Sequence, residues 1–158
     1  MNKKINEYMR EALRLAKENV IKGKGGPFGA VIVKDGTIIA RAANAVVRTN
    51  DPTAHGEIVA IRQACAALGT FHLDDCELYT SCEPCPMCMG AIYWARIPRV
   101  YFAASGEDAH EAGFDDVAFY EQIALPYPEQ KTEVKQILRD EAWNIFEEWN
   151  QSENKKHY

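Results

Sequence analysis

Apolar positions recur at helical spacing near the start of the chain. Ile5, Met9, Leu13, Ala16 and Val20 fall on one face of a helix with about 3.6 residues per turn. Gly23–Gly26 followed by Pro27 ends that helix. The pattern then changes to Ala30-Val31-Ile32-Val33, a continuous apolar run of strand length. Asp35-Gly36 is a two-residue hairpin signal, so Thr37 to Ala42 is expected to return antiparallel. Asn44 to Pro52 reads as a polar loop. A helix is expected from Thr53 to Leu68, with Gly69 as its stop and with His55 and Glu57 in its first turn. Leu78 to Thr80 reads as a third strand, Cys82 to Pro86 as a turn, Met87 to Ala95 as a helix and Val100 to Ala103 as a fourth strand. Strands alternating with helices require a parallel crossover after the opening hairpin. The predicted fold is α/β, a three-layer α/β/α domain on a central mixed sheet.

Beyond Ala104 the periodicity is weaker. Ser105 to Asp116 reads as a loop or short helix, and Leu125 to Glu129 carries two prolines that break the chain. Trp143, Phe146 and Trp149 form an aromatic stripe on a C-terminal helix, as expected of a face that packs on a core or a partner. The tail Ser152 to Tyr158 is polar and is expected to fray unless something holds it.

Composition narrows the class. The 158 residues fit one domain, taken as 1–158. Apolar content of 47% and charged content of 26% are those of a soluble globular protein. The net charge of −5 disfavours a broad phosphate-binding surface, and so a nucleic-acid partner. No run of about 18 apolar residues is present to span a membrane. Met1 to Arg10 lacks the apolar stretch of a signal peptide, so a cytoplasmic location is expected. Three of the five cysteines, Cys82, Cys85 and Cys88, crowd together. That is a poor disulfide framework and a good metal pattern. Cys65 and Cys76 read as small buried apolar residues.

Two fragments carry chemistry: His55-Gly56-Glu57 and Pro84-Cys85-Pro86-Met87-Cys88. Together they match His-x-Glu…Pro-Cys-x-x-Cys, the pattern of zinc deaminases. Cys85 and Cys88 are three apart, nearly one helical turn, so both sulfurs can face one point. A helix N-terminus favours ionised thiolates. His55, Cys85 and Cys88 are therefore the candidate ligands of one Zn2+ per chain, with a fourth position open to water. Zinc lowers the pKa of that water toward about 7, and Glu57 is the candidate carrier of its protons. Cys82 leaves a second reading open: as a fourth ligand it would close the site into a noncatalytic zinc module. Pro84 and Pro86 favour keeping it apart.

The chain resembles the cytidine deaminase-like superfamily, and within it the small bacterial guanine deaminases. The resemblance rests on Gly26-Pro27-Phe28-Gly29-Ala30-Val31-Ile32-Val33, on Asn50 to Glu57, on Tyr79 to Cys88, on Ala91 to Arg96, on Ala112-Gly113-Phe114-Asp115-Asp116, and on the end Lys155 to Tyr158. It implies hydrolytic deamination of guanine to xanthine and ammonia. It also implies a homodimer that exchanges C-terminal segments, here about 130–158. By the same resemblance Asp116 and Tyr158 reach the substrate, Asn44 holds the purine and Phe28 packs on the base. Asp116 is placed with Glu57 among the catalytic residues, and Asp115 is its neighbour and rival. Asn44 as a strand terminator and Phe28 as core are the plainer alternatives. One departure is Gly56, where most relatives carry alanine. Guanosine deaminase and cytosine deaminase are the competing activities. A tRNA adenosine deaminase fits the net charge less well.

Overall fold

The computed structural model describes residues 3–157. Helix α1 spans Lys3–Ile21. The hairpin follows as β1 (Gly29–Lys34) and β2 (Thr37–Ala43), joined where Asp35 and Gly36 both take positive φ, 49° and 75°. That is the turn geometry whose twist matches an antiparallel pair. Helix α2 is one turn, Val46–Thr49, inside the segment expected to be loop. Helix α3 spans Gly56–Leu68 and ends on Gly69 at φ 65°. Strand β3 (Cys76–Cys82), helix α4 (Pro86–Trp94) and strand β4 (Arg99–Ala104) complete the sheet.

The sheet order is β2-β1-β3-β4. β1 pairs antiparallel with β2 and β3, and β3 pairs parallel with β4. The expected mixed sheet and parallel crossover are present. Both faces are covered, which explains why β1 reads as an unbroken apolar run. One face packs Ala30, Ile32 and Leu78 with Ala60, Ala64 and Ile92 of α3 and α4. The other packs Val31, Val33 and Tyr79 with Ile5, Tyr8 and Met9 of α1.

The buried stripe of α1 is the expected one at Ile5, Met9 and Ala16 but not at Leu13 and Val20. Leu13 and Val20 are 43% and 52% exposed, while Ala12, Ala16 and Asn19 are buried. The reason is the close approach to the start of β1. A Cβ at Gly29 would stand 2.3 Å from the Ala12 carbonyl and 2.7 Å from the Ala16 nitrogen. Only small residues fit that contact, so the leucine and valine turn outward.

After the sheet come α5 (Gly106–Glu111) and α6 (Asp116–Ala124). Ser105 caps α5 in a reciprocal box with Asp108, satisfying N–H groups that would otherwise be unpaired. The chain forms two compact units divided between Tyr120 and Glu121. The second contains a short 3-10 turn at Tyr127–Glu129 and helix α7, Arg139–Gln151.

Candidate active site

Helix α3 begins later than periodicity indicates, at Gly56 instead of Thr53, while α4 begins one residue earlier, at Pro86 instead of Met87. His55 is the N-cap of α3 and Cys85 the N-cap of α4. Each is extended backbone just before the first turn, so its side chain lies at the mouth of the helix instead of on its flank. Pro86 occupies the first helical position, where its lack of N–H costs nothing. Cys88 follows one turn on and is fully buried. Strands β2 and β3, which flank β1 in the sheet, lead into the two segments.

His55 Nδ1 lies 3.6 Å from Cys85 Sγ and 3.5 Å from Cys88 Sγ. All three ligand atoms fall within 4.8 Å of one another. A nitrogen about 2.05 Å and a sulfur about 2.3 Å from one tetrahedral centre are about 3.6 Å apart. The donor set and its spacing thus fit zinc. Cys85 is held as a thiolate, its pKa lowered to about 4 by the hydrogen bond from Cys88 and the contact with His55, against burial. Cys88 shifts up as the donor of that pair and through burial, and His55 is raised by its contact with Cys85. Cys82 turns away, its sulfur 3.5 Å from the Ser105 carbonyl oxygen. Burial pushes its thiol up to about 11, so it stays neutral. Among the described residues the cluster has three members, not four.

Glu57, in the first turn of α3, is 5% exposed. Burial raises its carboxyl above the usual range, partly offset by hydrogen bonds to its own backbone and from Thr80. The Thr80 hydroxyl donates to Oε1 at 3.1 Å. The motif does not include Thr80. Its signal is position: a hydroxyl in a buried stretch of β3, two residues from Leu78 and so on the face packed by the helix that carries Glu57.

His55, Glu57 and Cys85 open onto a cleft of about 330 Å³ also lined by Asn44, Phe28, Phe114 and Asp116. Phe28 and Phe114 meet edge to face at 4.7 Å, a favoured aromatic geometry. Phe28 is half-buried, so it serves both the wall and the cleft. Asn44 is buried; its Oδ1 accepts from the Val46 N–H at 3.3 Å. Asp115 and Asp116 both border the cleft, but Asp115 is exposed and Asp116 half-buried. Burial raises the Asp116 carboxyl, and the nearby Cys85 charge adds to this. Tyr158 lies outside the described residues. At Gly56 a Cβ would stand 3.4 Å from the Phe28 oxygen, near ordinary contact, so the departure from alanine leaves the site intact. Glu83, which sequence reading passed over, also lines the cleft and accepts from the Gly106 N–H at 2.9 Å.

An imidazole and two thiols opening two helices, beside a buried carboxylate, are the working parts of a hydrolytic zinc deaminase. The family model for the cytidine and deoxycytidylate deaminase zinc-binding region matches residues 2–104, and the chain belongs to that family. It is 54% identical over 151 residues to the guanine deaminase of Bacillus subtilis, covering 96% of this chain and 97% of that one. The X-ray structure of that enzyme superposes with a TM-score of 0.94 over 100% of this chain and 99% of its own. A tRNA-specific adenosine deaminase of Aquifex aeolicus is 48% identical over 97 residues, 61% of this chain and 64% of its own. The guanine deaminase of Nitrosomonas europaea is 37% identical, with a TM-score of 0.66 over 69% of this chain and 63% of its own.

Proposed function

We propose that the chain hydrolyses guanine to xanthine and ammonia. The observation that carries this reading is the reach of the similarity. The Bacillus subtilis guanine deaminase matches 96% of the chain, whereas the tRNA-specific enzyme matches 61%. An alignment over 151 of the 158 residues takes in the segment after β4, which carries Phe114 and Asp116 of the cleft.

In the reaction a water oxygen adds to the carbon bearing the exocyclic amine, and that amine leaves as ammonia. His55, Cys85 and Cys88 would hold zinc, which supplies Lewis acidity and brings the pKa of water toward about 7. Glu57 takes the water proton and delivers protons to the neighbouring ring nitrogen and the departing amine. The Thr80 hydroxyl donates to Oε1 of Glu57 and holds the carboxyl in place for this traffic. The Asn44 Oδ1 is engaged by Val46, so its Nδ2 donates to an acceptor on the purine. Asp116 accepts from the N1–H and amine edge. Phe28 and Phe114 pack against the base.

The proposal includes a homodimer in which the 130–158 segments are exchanged and Tyr158 closes the cleft. Helix α7 supports it by leaving Ile145 and Phe146 exposed at 67% and 61%, with Trp143 and Trp149 at 45% and 41%. A stripe of that size needs cover, and exchange of an identical element is a low-cost way to supply it. A cytoplasmic location goes with five free cysteines, three of them in or beside the metal cluster, which call for a reducing compartment.

The test is ammonia release from guanine, guanosine, cytosine and adenine by the zinc-loaded protein. Guanine is expected to be the preferred substrate by a wide margin. Preference for guanosine or cytosine would replace the substrate; no release from any would replace the function.

A further inference from the structure

Asn19 lies near the end of α1 and borders no part of the cleft, yet it is 7% exposed. A buried amide is costly unless its hydrogen bonds are made. Asn19 makes two through one nitrogen: Nδ2 donates to the Gly26 carbonyl at 2.9 Å and to the Asn44 carbonyl at 2.9 Å. Those two acceptors belong to the segments that bear the aromatic and the amide of the cleft. The Gly26 oxygen also accepts from the Phe28 N–H at 2.9 Å, and the Asn44 N–H donates to the Phe28 oxygen at 2.8 Å. One side-chain amide therefore fastens the Phe28 turn and the end of β2 to each other. The junction has no slack. A Cβ at Gly25 would stand 2.9 Å from both Asn19 Nδ2 and the Asn44 oxygen, and 3.1 Å from Asn44 Oδ1.

We infer that Asn19 is a positioning residue for substrate selection: it fixes the main chain of Asn44 and Phe28 so that both meet the base in one geometry. The inference rests on the proposal that Asn44 contacts the purine. Asn19 bonds neither the metal cluster nor Glu57, and the junction reaches them only through the main chain, by the Ala45 N–H donating to the Ala54 carbonyl at 2.9 Å. His55 and Cys85 are set by the starts of α3 and α4, and Glu57 by Thr80. Disturbing Asn19 should thus weaken substrate binding and leave the chemical step and the metal in place.

The test is Asn19→Asp, which keeps the size and turns the donor into an acceptor facing two carbonyl oxygens. Asn19→Ser repeats the measurement if the aspartate variant does not fold. Guanine kcat and KM, xanthine Kd by calorimetry and zinc content are measured for each, alone and combined with Asn44→Ala. The expected result is a rise in KM and xanthine Kd of about tenfold or more, the equivalent of one lost hydrogen bond. kcat should stay within about threefold and zinc at one per chain. Combined with Asn44→Ala, the change should add less than its full single effect, because part of it acts through the Asn44 contact. If Asn44→Ala raises KM and the Asn19 variants do not, this inference is overturned and the role of Asn44 stands. If Asn44→Ala is silent, the role of Asn44 fails and the inference with it. Loss of zinc or of kcat in step with KM, or full additivity with Asn44→Ala, makes Asn19 a general fold contact and overturns the inference.

Discussion

Asp115 and Asp116 are chain neighbours with opposite surroundings. Asp115 is exposed, while Asp116 opens α6 and feels both burial and the Cys85 charge. Asp116→Asn is expected to lower guanine turnover by about 10²-fold or more, in the range of a lost general acid–base group. Asp115→Asn should leave it near the parent value. Steady-state ammonia release with the two variants side by side decides the ranking. The cysteines divide in the same way. Cys85→Ser should lose zinc and melt at lower temperature, because metal binding and folding are coupled. Cys82→Ser, altering a thiol that faces the Ser105 carbonyl, should keep one zinc per chain. Elemental analysis and thermal denaturation read both outcomes, and zinc loss from the Cys82 variant would restore the closed four-ligand site.

Helix α1 is tied to β2 through Glu11, which pairs with Arg14 and with Arg41 at 3.0 Å. The Arg14 hydrogen bond, opposed by burial and aided by Arg41, lowers the Glu11 pKa from 4.5 to about 2. A carboxyl with a depressed folded pKa stabilises above its unfolded value and loses that contribution as pH falls. Glu11→Gln should therefore cost about 1 kcal/mol at pH 7, the scale of a partly exposed pair. The gap between parent and variant should close between pH 4.5 and 2. Denaturant melts across that range measure it, and zinc loss at low pH is common to both chains. Elements of this kind were legible in the sequence where one signal ruled. The Asp35-Gly36 hairpin, the Gly69 stop and the four strands follow from turn chemistry and apolar runs. The outward turn of Leu13 and Val20 was not, because it is set by the close approach of Gly29 to Ala12 and Ala16, a tertiary contact with no local trace. The metal triad was legible because its spacing is a chemical requirement. Thr80 and Asn19 were not, since each acts through a partner distant in sequence. The start of α3 was read at Thr53 instead of Gly56, because a ligand used as an N-cap lacks the Ser/Thr/Asp signature of an ordinary cap.

At the scale of the whole molecule the division at Tyr120 separates two kinds of work. Residues through Tyr120 contain the metal cluster and the cleft lining; those from Glu121 onward contain α7 and the tail. Deleting 154–158 should leave zinc and folding intact while guanine turnover is lost, as expected if the tail acts as a lid. Inactive Glu57→Gln chains refolded together with tail-deleted chains should regain activity if tails cross between subunits. Proven mixed dimers without rescue would argue that each tail serves its own cleft. The ligands His55 and Cys88 are only 33 positions apart, and both precede β4. Because synthesis runs from the N-terminus, a nascent chain has every metal donor on hand well before its last helix is made. Zinc taken up at that stage would shield the thiolate of Cys85 from oxidation on the ribosome. The order of events would then be metal first and the Phe114 and Asp116 wall of the cleft later.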